Sequence, residues 1–95
     1  MPSLQIDFED GFSGDTVVVS AAGRELWREE GVTTNLSANV AAIARVEMPE
    51  GEELEVSVPT RGLAAAASVE TPFLVVRIQG DRLLLEPSQD LPVHL

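Results

Sequence analysis

The sequence predicts an all-β fold, an antiparallel β-sandwich of seven to eight short strands. Three observations carry that expectation. Apolar and polar residues alternate along much of the chain with a period of two, the mark of strands buried on one face. Gly, Pro, Asn and Asp interrupt the alternation roughly every ten residues, as turns between short strands do. No stretch carries the roughly 3.6-residue apolar period of an amphipathic helix, so nothing supports a βαβ arrangement.

Leu4, Ile6 and Phe8 alternate with Gln5, Asp7 and Glu9 and form a first strand. Asp10–Asp15, with Gly11 and Gly14, reads as a turn, because Gly accepts positive φ. Thr16–Ser20 holds three consecutive Val and reads as a central strand. Ala21-Ala22-Gly23 closes a tight hairpin into Arg24–Glu29, where Leu26 and Arg28 share one face and Trp27 the other. Glu30 and Gly31 begin a connection through Val32–Ser37. The longest strand then spans Asn39–Met48, with Val40, Ala42, Ala44, Val46 and Met48 on one side. Pro49-Glu50-Gly51-Glu52 is a turn signal and suggests a hairpin into Glu53–Val58, where Leu54, Val56 and Val58 alternate with Glu53, Glu55 and Ser57. Pro59-Thr60-Arg61-Gly62 breaks that strand. Leu63–Glu70 admits two readings: consecutive alanines favour helix by propensity, while Leu63, Ala65, Ala67 and Val69 alternate. The short span between Gly62 and Pro72 favours a strand. Phe73–Gln79 and Arg82–Glu86 form a last hairpin around Gly80-Asp81, and residues 87–95 are expected as a flexible tail of this one domain.

The order of features over residues 17–58 is more specific. It comprises Val17 and Val19, Gly23, Thr33 or Thr34, the strand Val40–Val46, Pro49 and Gly51, then Leu54, Val56 and Val58. This order resembles the transthyretin-like modules, including carboxypeptidase regulatory-like and collagen-adhesin B-type domains. Two positions depart from that pattern: Ala38 and Asn39 stand where a Gly follows the Thr, and Leu54 replaces an aromatic. The Lys–Asn isopeptide bond of some adhesin modules cannot form, since the chain has no Lys. The resemblance implies a transthyretin-like or immunoglobulin-like sandwich that serves as a non-catalytic accessory or protein-interaction module.

Composition narrows the chemistry. The chain has no Cys, Lys or Tyr and one His, His94, next to the C-terminal residue. Ser13, Ser20, Ser37, Ser57 and Ser68 have no second His to activate them, so enzyme activity is not expected. Six Arg against sixteen carboxylates give a net charge of −10. That charge disfavours nucleic acid and anionic membrane surfaces, and leaves basic proteins, divalent cations and neutral ligands. Met1–Ile6 lacks the basic and apolar regions of a signal peptide. The longest apolar runs, Leu63–Ala67 and Phe73–Val76, are far shorter than a membrane span, so a soluble chain, cytoplasmic by default, is expected. Arg without Lys, with abundant Ala, is a usage found in GC-rich bacterial genomes.

Four candidate sites follow. Asp7, Glu9, Asp10 and Asp15, with Ser13, offer hard oxygen ligands for calcium, which takes about six to eight oxygens, though the spacing is not that of an EF-hand. The same carboxylates also fit a solvated strand face and turn. Glu47, Glu50, Glu52, Glu53 and Glu55 flank the expected hairpin and would dock a basic partner; Glu47 and Glu55 would repel each other across a shared ladder. Trp27 is a candidate carbohydrate-stacking residue, although a lone Trp flanked by Leu26 and Arg28 more often packs against the core. Ala64, Ala66 and Ser68 leave a strand that another chain can approach, which suggests self-association. The six Arg are scattered singly; Arg45 and Arg77, inside apolar strands, are placed to pair with Glu across a ladder.

Overall fold

The computed structural model describes residues 3–35, 37, 40–47 and 51–90. Eight strands account for most of them: β1 (Ser3–Phe8), β2 (Asp15–Ala21), β3 (Arg24–Val32), β4 (Ala42–Glu47), β5 (Leu54–Val58), β6 (Leu63–Ala67), β7 (Phe73–Gln79) and β8 (Arg82–Ser88). They form two four-stranded sheets, sheet A in the order β4-β1-β7-β8 and sheet B in the order β3-β2-β5-β6. The alternation seen in the sequence builds the layer between them. Leu4, Ile6 and Phe8 of β1, Ala44 and Val46 of β4, and Leu74, Val76 and Ile78 of β7 meet Val17 and Val19 of β2 and Leu54, Val56 and Val58 of β5. Each buried Leu, Ile, Val or Phe contributes about 1.5–3 kcal/mol, and this layer holds the sheets together.

Among the described residues every strand pairing is antiparallel except one. β1 runs parallel to β7, with Gln5 opposite Phe73 and Phe8 opposite Val76. The exception arises because β1 reaches β7 only after the chain has crossed between the sheets several times, so no hairpin fixes their relative direction.

The alanine run forms a strand. Leu63, Ala65 and Ala67 are half-buried, while Ala64 and Ala66 are exposed. A five-residue span entered through a left-handed Gly62 is too short to nucleate a helix, whereas pairing with β5 satisfies its backbone at once.

β2 and β3 join through the two-residue turn Ala22-Gly23, with φ of 52° and 74°. Their pairing shifts register twice, between Asp15 and Val17 and between Val19 and Ser20. The second shift inserts Leu26 as an extra residue. Leu26 and Trp27 both pack against the core instead of taking opposite faces. β3 also runs on through Glu30 and Gly31 to Val32, where the sequence suggests a connection.

Three further expectations need revision. The connection after β4 is an arch between sheets and not a hairpin, since β4 lies in sheet A and β5 in sheet B. Glu47 therefore faces Ser3 across its ladder, and Glu55 faces Ser20 and Ala66, so these two Glu do not repel each other across a shared ladder. The strand expected over Asn39–Met48 is Ala42–Glu47, preceded by an isolated bridge between Asn35 and Val40; Asn39, Met48 and Pro49 lie outside the described residues. Finally, Pro87 and Ser88 belong to β8, paired with Leu74 and Phe73, while residues 91–95, including His94, lie outside the described residues.

Candidate functional site

Strand directions give the sandwich two unlike ends. The loop at residues 9–14, the segment Thr33–Asn35, the 3-10 turn Pro59–Arg61 and the Gly80-Asp81 turn share one end. The Ala22-Gly23 turn, Gly51–Glu53 and residues 68–72 share the other.

At the first end the carboxylates are already engaged. Asp15 is 3% exposed. Its carboxylate accepts hydrogen bonds from the Ser13 amide at 2.8 Å, the Thr60 hydroxyl at 2.9 Å and Arg61 Nε at 3.0 Å, with Arg61 Nη2 at 2.9 Å. Burial works to raise the Asp15 pKa, but the bonds from Arg61, Ser13 and Thr60 outweigh it and hold the pKa below the ordinary carboxylate value. Arg77 on β7 bridges Glu9 at 3.0 Å and Glu86 at 2.8 Å and stands 4.0 Å from Asp10. Burial alone would lower the Arg77 pKa; Glu86 and Glu9 raise it instead, so the cation is retained. Two threonines close the loop: Thr34 donates to the Glu9 carbonyl at 2.6 Å and accepts from the Phe12 amide, while Thr33 accepts from the Gly14 amide. Gly11, at φ 92°, lies against β7, and an added Cβ would strike the carbonyl oxygen of Ile78.

The four residues proposed for calcium are therefore dispersed. Glu9 and Asp10 turn to Arg77, and Asp15 turns to Arg61. Asp7 sits on the outer face of sheet A, 1% exposed, accepting from Gln5 Nε2 at 3.0 Å between Ile43 and Val75. Among the described residues no three Asp, Glu or His side chains form a metal-holding group. The bond from Arg61 to Asp15 spans 46 positions and carries no local sequence signal. Arg77 within an apolar strand was the readable hint, and it pairs with Glu86 diagonally across β7 and β8.

The second end is built differently. An open depression of about 510 Å³ is lined by Ala22, Gly23, Glu52, Glu53, Glu55 and Ala66, among others. A second, of about 330 Å³, adjoins it where edge strands β3 and β4 diverge and is lined by Arg24, Leu26, Arg45, Glu47 and Glu52. Both include Ala21 and Ala22. Four of the five Glu proposed for docking thus gather here, brought together by the arch between sheets; Glu50 lies outside the described residues. Among the described residues Glu47, Glu52, Glu53 and Glu55 make no ion pair. Ala22 stands between the two depressions in a left-handed conformation that costs a non-glycine residue about 1 kcal/mol.

Trp27 is half-buried on β3, its ring stacked on Phe8 with centroids 5.2 Å apart and an 11° interplanar angle. Phe8 in turn meets Phe12 edge-to-face at 5.8 Å. One face of the indole is thus occupied by the core.

No protein-family model matches the chain, and no curated protein or solved structure matches it. Among the described residues no helix is long and apolar enough to cross a membrane.

Proposed function

We propose that the protein is a non-catalytic interaction module whose acid-rich end receives a basic segment of a partner protein. The observation that carries this reading is the division of charge. Among the described residues, Asp15 and Glu9 at one end are paired with Arg61 and Arg77, whereas Glu47, Glu52, Glu53 and Glu55 line two adjoining open depressions at the other end and make no ion pair. A Lys- or Arg-rich segment would relieve the repulsion among these Glu and form rim contacts whose main effect is on encounter and selectivity. Arg24 and Arg45 at one side of the mouth would bias its orientation. The two-sheet architecture and the anchoring of the first loop by Thr33 and Thr34 support the accessory-module class that the transthyretin-like resemblance implies.

Titration with an Arg-rich peptide, followed by amide NMR, tests the reading. Shifts should cluster at Ala22, Gly23 and Glu52–Glu55 and fade with added salt. The triple variant Glu52→Gln, Glu53→Gln, Glu55→Gln should bind about tenfold more weakly, as three exposed charge contacts allow. Replacing Glu29 and Glu30 on β3 by Gln should leave binding nearly unchanged. An equal loss in both variants would mean that net charge alone attracts the peptide and would reject a localised site.

A further inference from the structure

The outward faces of the two sheets differ in exposure. At the centre of sheet B the outward side chains Val18, Ser20 and Ser57 all remain partly exposed. At the centre of sheet A, outward-pointing Asp7 and Val75 are 1% and 7% exposed. Gln5 Nε2, bonded to Asp7, supplies part of that cover. Exposure returns toward the β4 edge, where Ile43, opposite Asp7, is 49% exposed. Phe73 and Leu84, outward on β7 and β8, are half-buried. The buried strip thus lies over β7 and β1 and stops short of β4.

The chain turns onto this face where the described residues end. Ser88 pairs with Phe73 and points outward with it. Its hydroxyl donates to the Asp90 carbonyl at 2.8 Å and accepts from the Asp90 amide at 3.3 Å. These two bonds draw the Asp90 backbone toward the outer side of sheet A. The next residues alternate, Leu91, Val93 and Leu95 with Pro92 and His94. Pro also favours extended backbone at the residue before it.

We propose that residues 91–95 cross the outer face of sheet A as an extended strap. Leu91, Val93 and Leu95 lie against the strip formed by Phe73, Val75 and Leu84, and His94 turns to solvent. The reach is sufficient. Asp7 stands two strands across from Ser88 and two residues along, about 12 Å by ordinary strand spacing and rise. Residues 89–94, extended, span about 20 Å. A strap that starts at β8 covers β7 and then β1, and leaves Ile43 on β4 exposed, as observed. The face is separate from the acid-rich end, so this assignment stands or falls independently of the docking proposed there.

Methyl NOE spectra of the full isotope-labelled chain are the test. Cross-peaks should join the Leu91 and Val93 methyls to the Val75 methyls and the Phe73 ring. The double variant Leu91→Ser, Val93→Ser should lose them and shift the Asp7 and Val75 amides, while His94→Ser should leave those amides in place. Residues 91–95 lie outside every described ladder, and unmoved signals from Val17 and Val56 would show that the core is intact. The wild-type cross-peaks decide the matter even for a variant that unfolds. Their absence overturns the proposal, as do Asp7 and Val75 amides that stay put in the double variant or move equally in His94→Ser. Cross-peaks found only between labelled and unlabelled copies would mean that a second copy covers the face, and would overturn it too.

Discussion

Asp15 shows how one buried carboxylate can bind distant segments together. Its partners come from the first loop (Ser13) and from the turn after β5 (Thr60 and Arg61), so the bonds tie the two ends of neighbouring strands. Asp15→Ala should lower stability by about 2 kcal/mol at neutral pH, a discounted value because Arg61 is about a third exposed. In thermal denaturation this corresponds to a fall of about 8–16 °C. The pH dependence has a definite sign. The folded carboxyl has a pKa below that of the unfolded chain, about 3.9, so its contribution is present above that pH and is lost as pH falls through the folded value. Wild type should therefore lose part of its advantage over Asp15→Ala below about pH 4; an undiminished difference at pH 2 would show that the ion pair is not its source. None of this was legible locally, because Asp15 follows Ser13-Gly14 and looks like any acidic turn residue. Only the third dimension brings Arg61 to it.

At the level of elements, alternation marked which face of each strand is buried, and Leu54, Val56 and Val58 or Val17 and Val19 lie where that pattern puts them. Alternation is silent on which strands are neighbours. Pro49-Glu50-Gly51 has the same turn residues whether the chain folds back in one sheet or crosses to the other, and the arch between β4 and β5 was therefore not readable. Leu26 and Trp27 were expected on opposite faces for a related reason: alternation does not register the extra residue at Leu26 that brings both against the core. The Ala22-Gly23 turn was readable as a hairpin, but its φ values require a left-handed residue at Ala22. Ala22→Asn should therefore stabilise the protein by about 0.5–1 kcal/mol, seen as a higher midpoint in urea with an unchanged slope. A destabilised variant would mean that the Ala22 side chain packs in a way that outweighs backbone strain.

For the molecule as a whole, the net charge of −10 was plain from composition, but its placement was not. With Glu47, Glu52, Glu53 and Glu55 converging on one end, added salt should relieve repulsion there, and raising NaCl from about 10 mM to about 300 mM should raise the melting temperature by a few degrees. Neutralising Glu52, Glu53 and Glu55 should flatten that response; a melting temperature that falls with salt would instead mean that the ion pairs of Arg61 and Arg77 dominate. The parallel pairing of β1 with β7 has a different consequence, in the order of events during synthesis. Gln5 and Phe73 are 68 positions apart, and every strand of sheet B has been translated by Ala67. On the ribosome sheet B can assemble while β1, the first strand to emerge, has only β4 beside it. The interior of sheet A must wait until β7 is released, so the earliest-made strand is among the last to be enclosed.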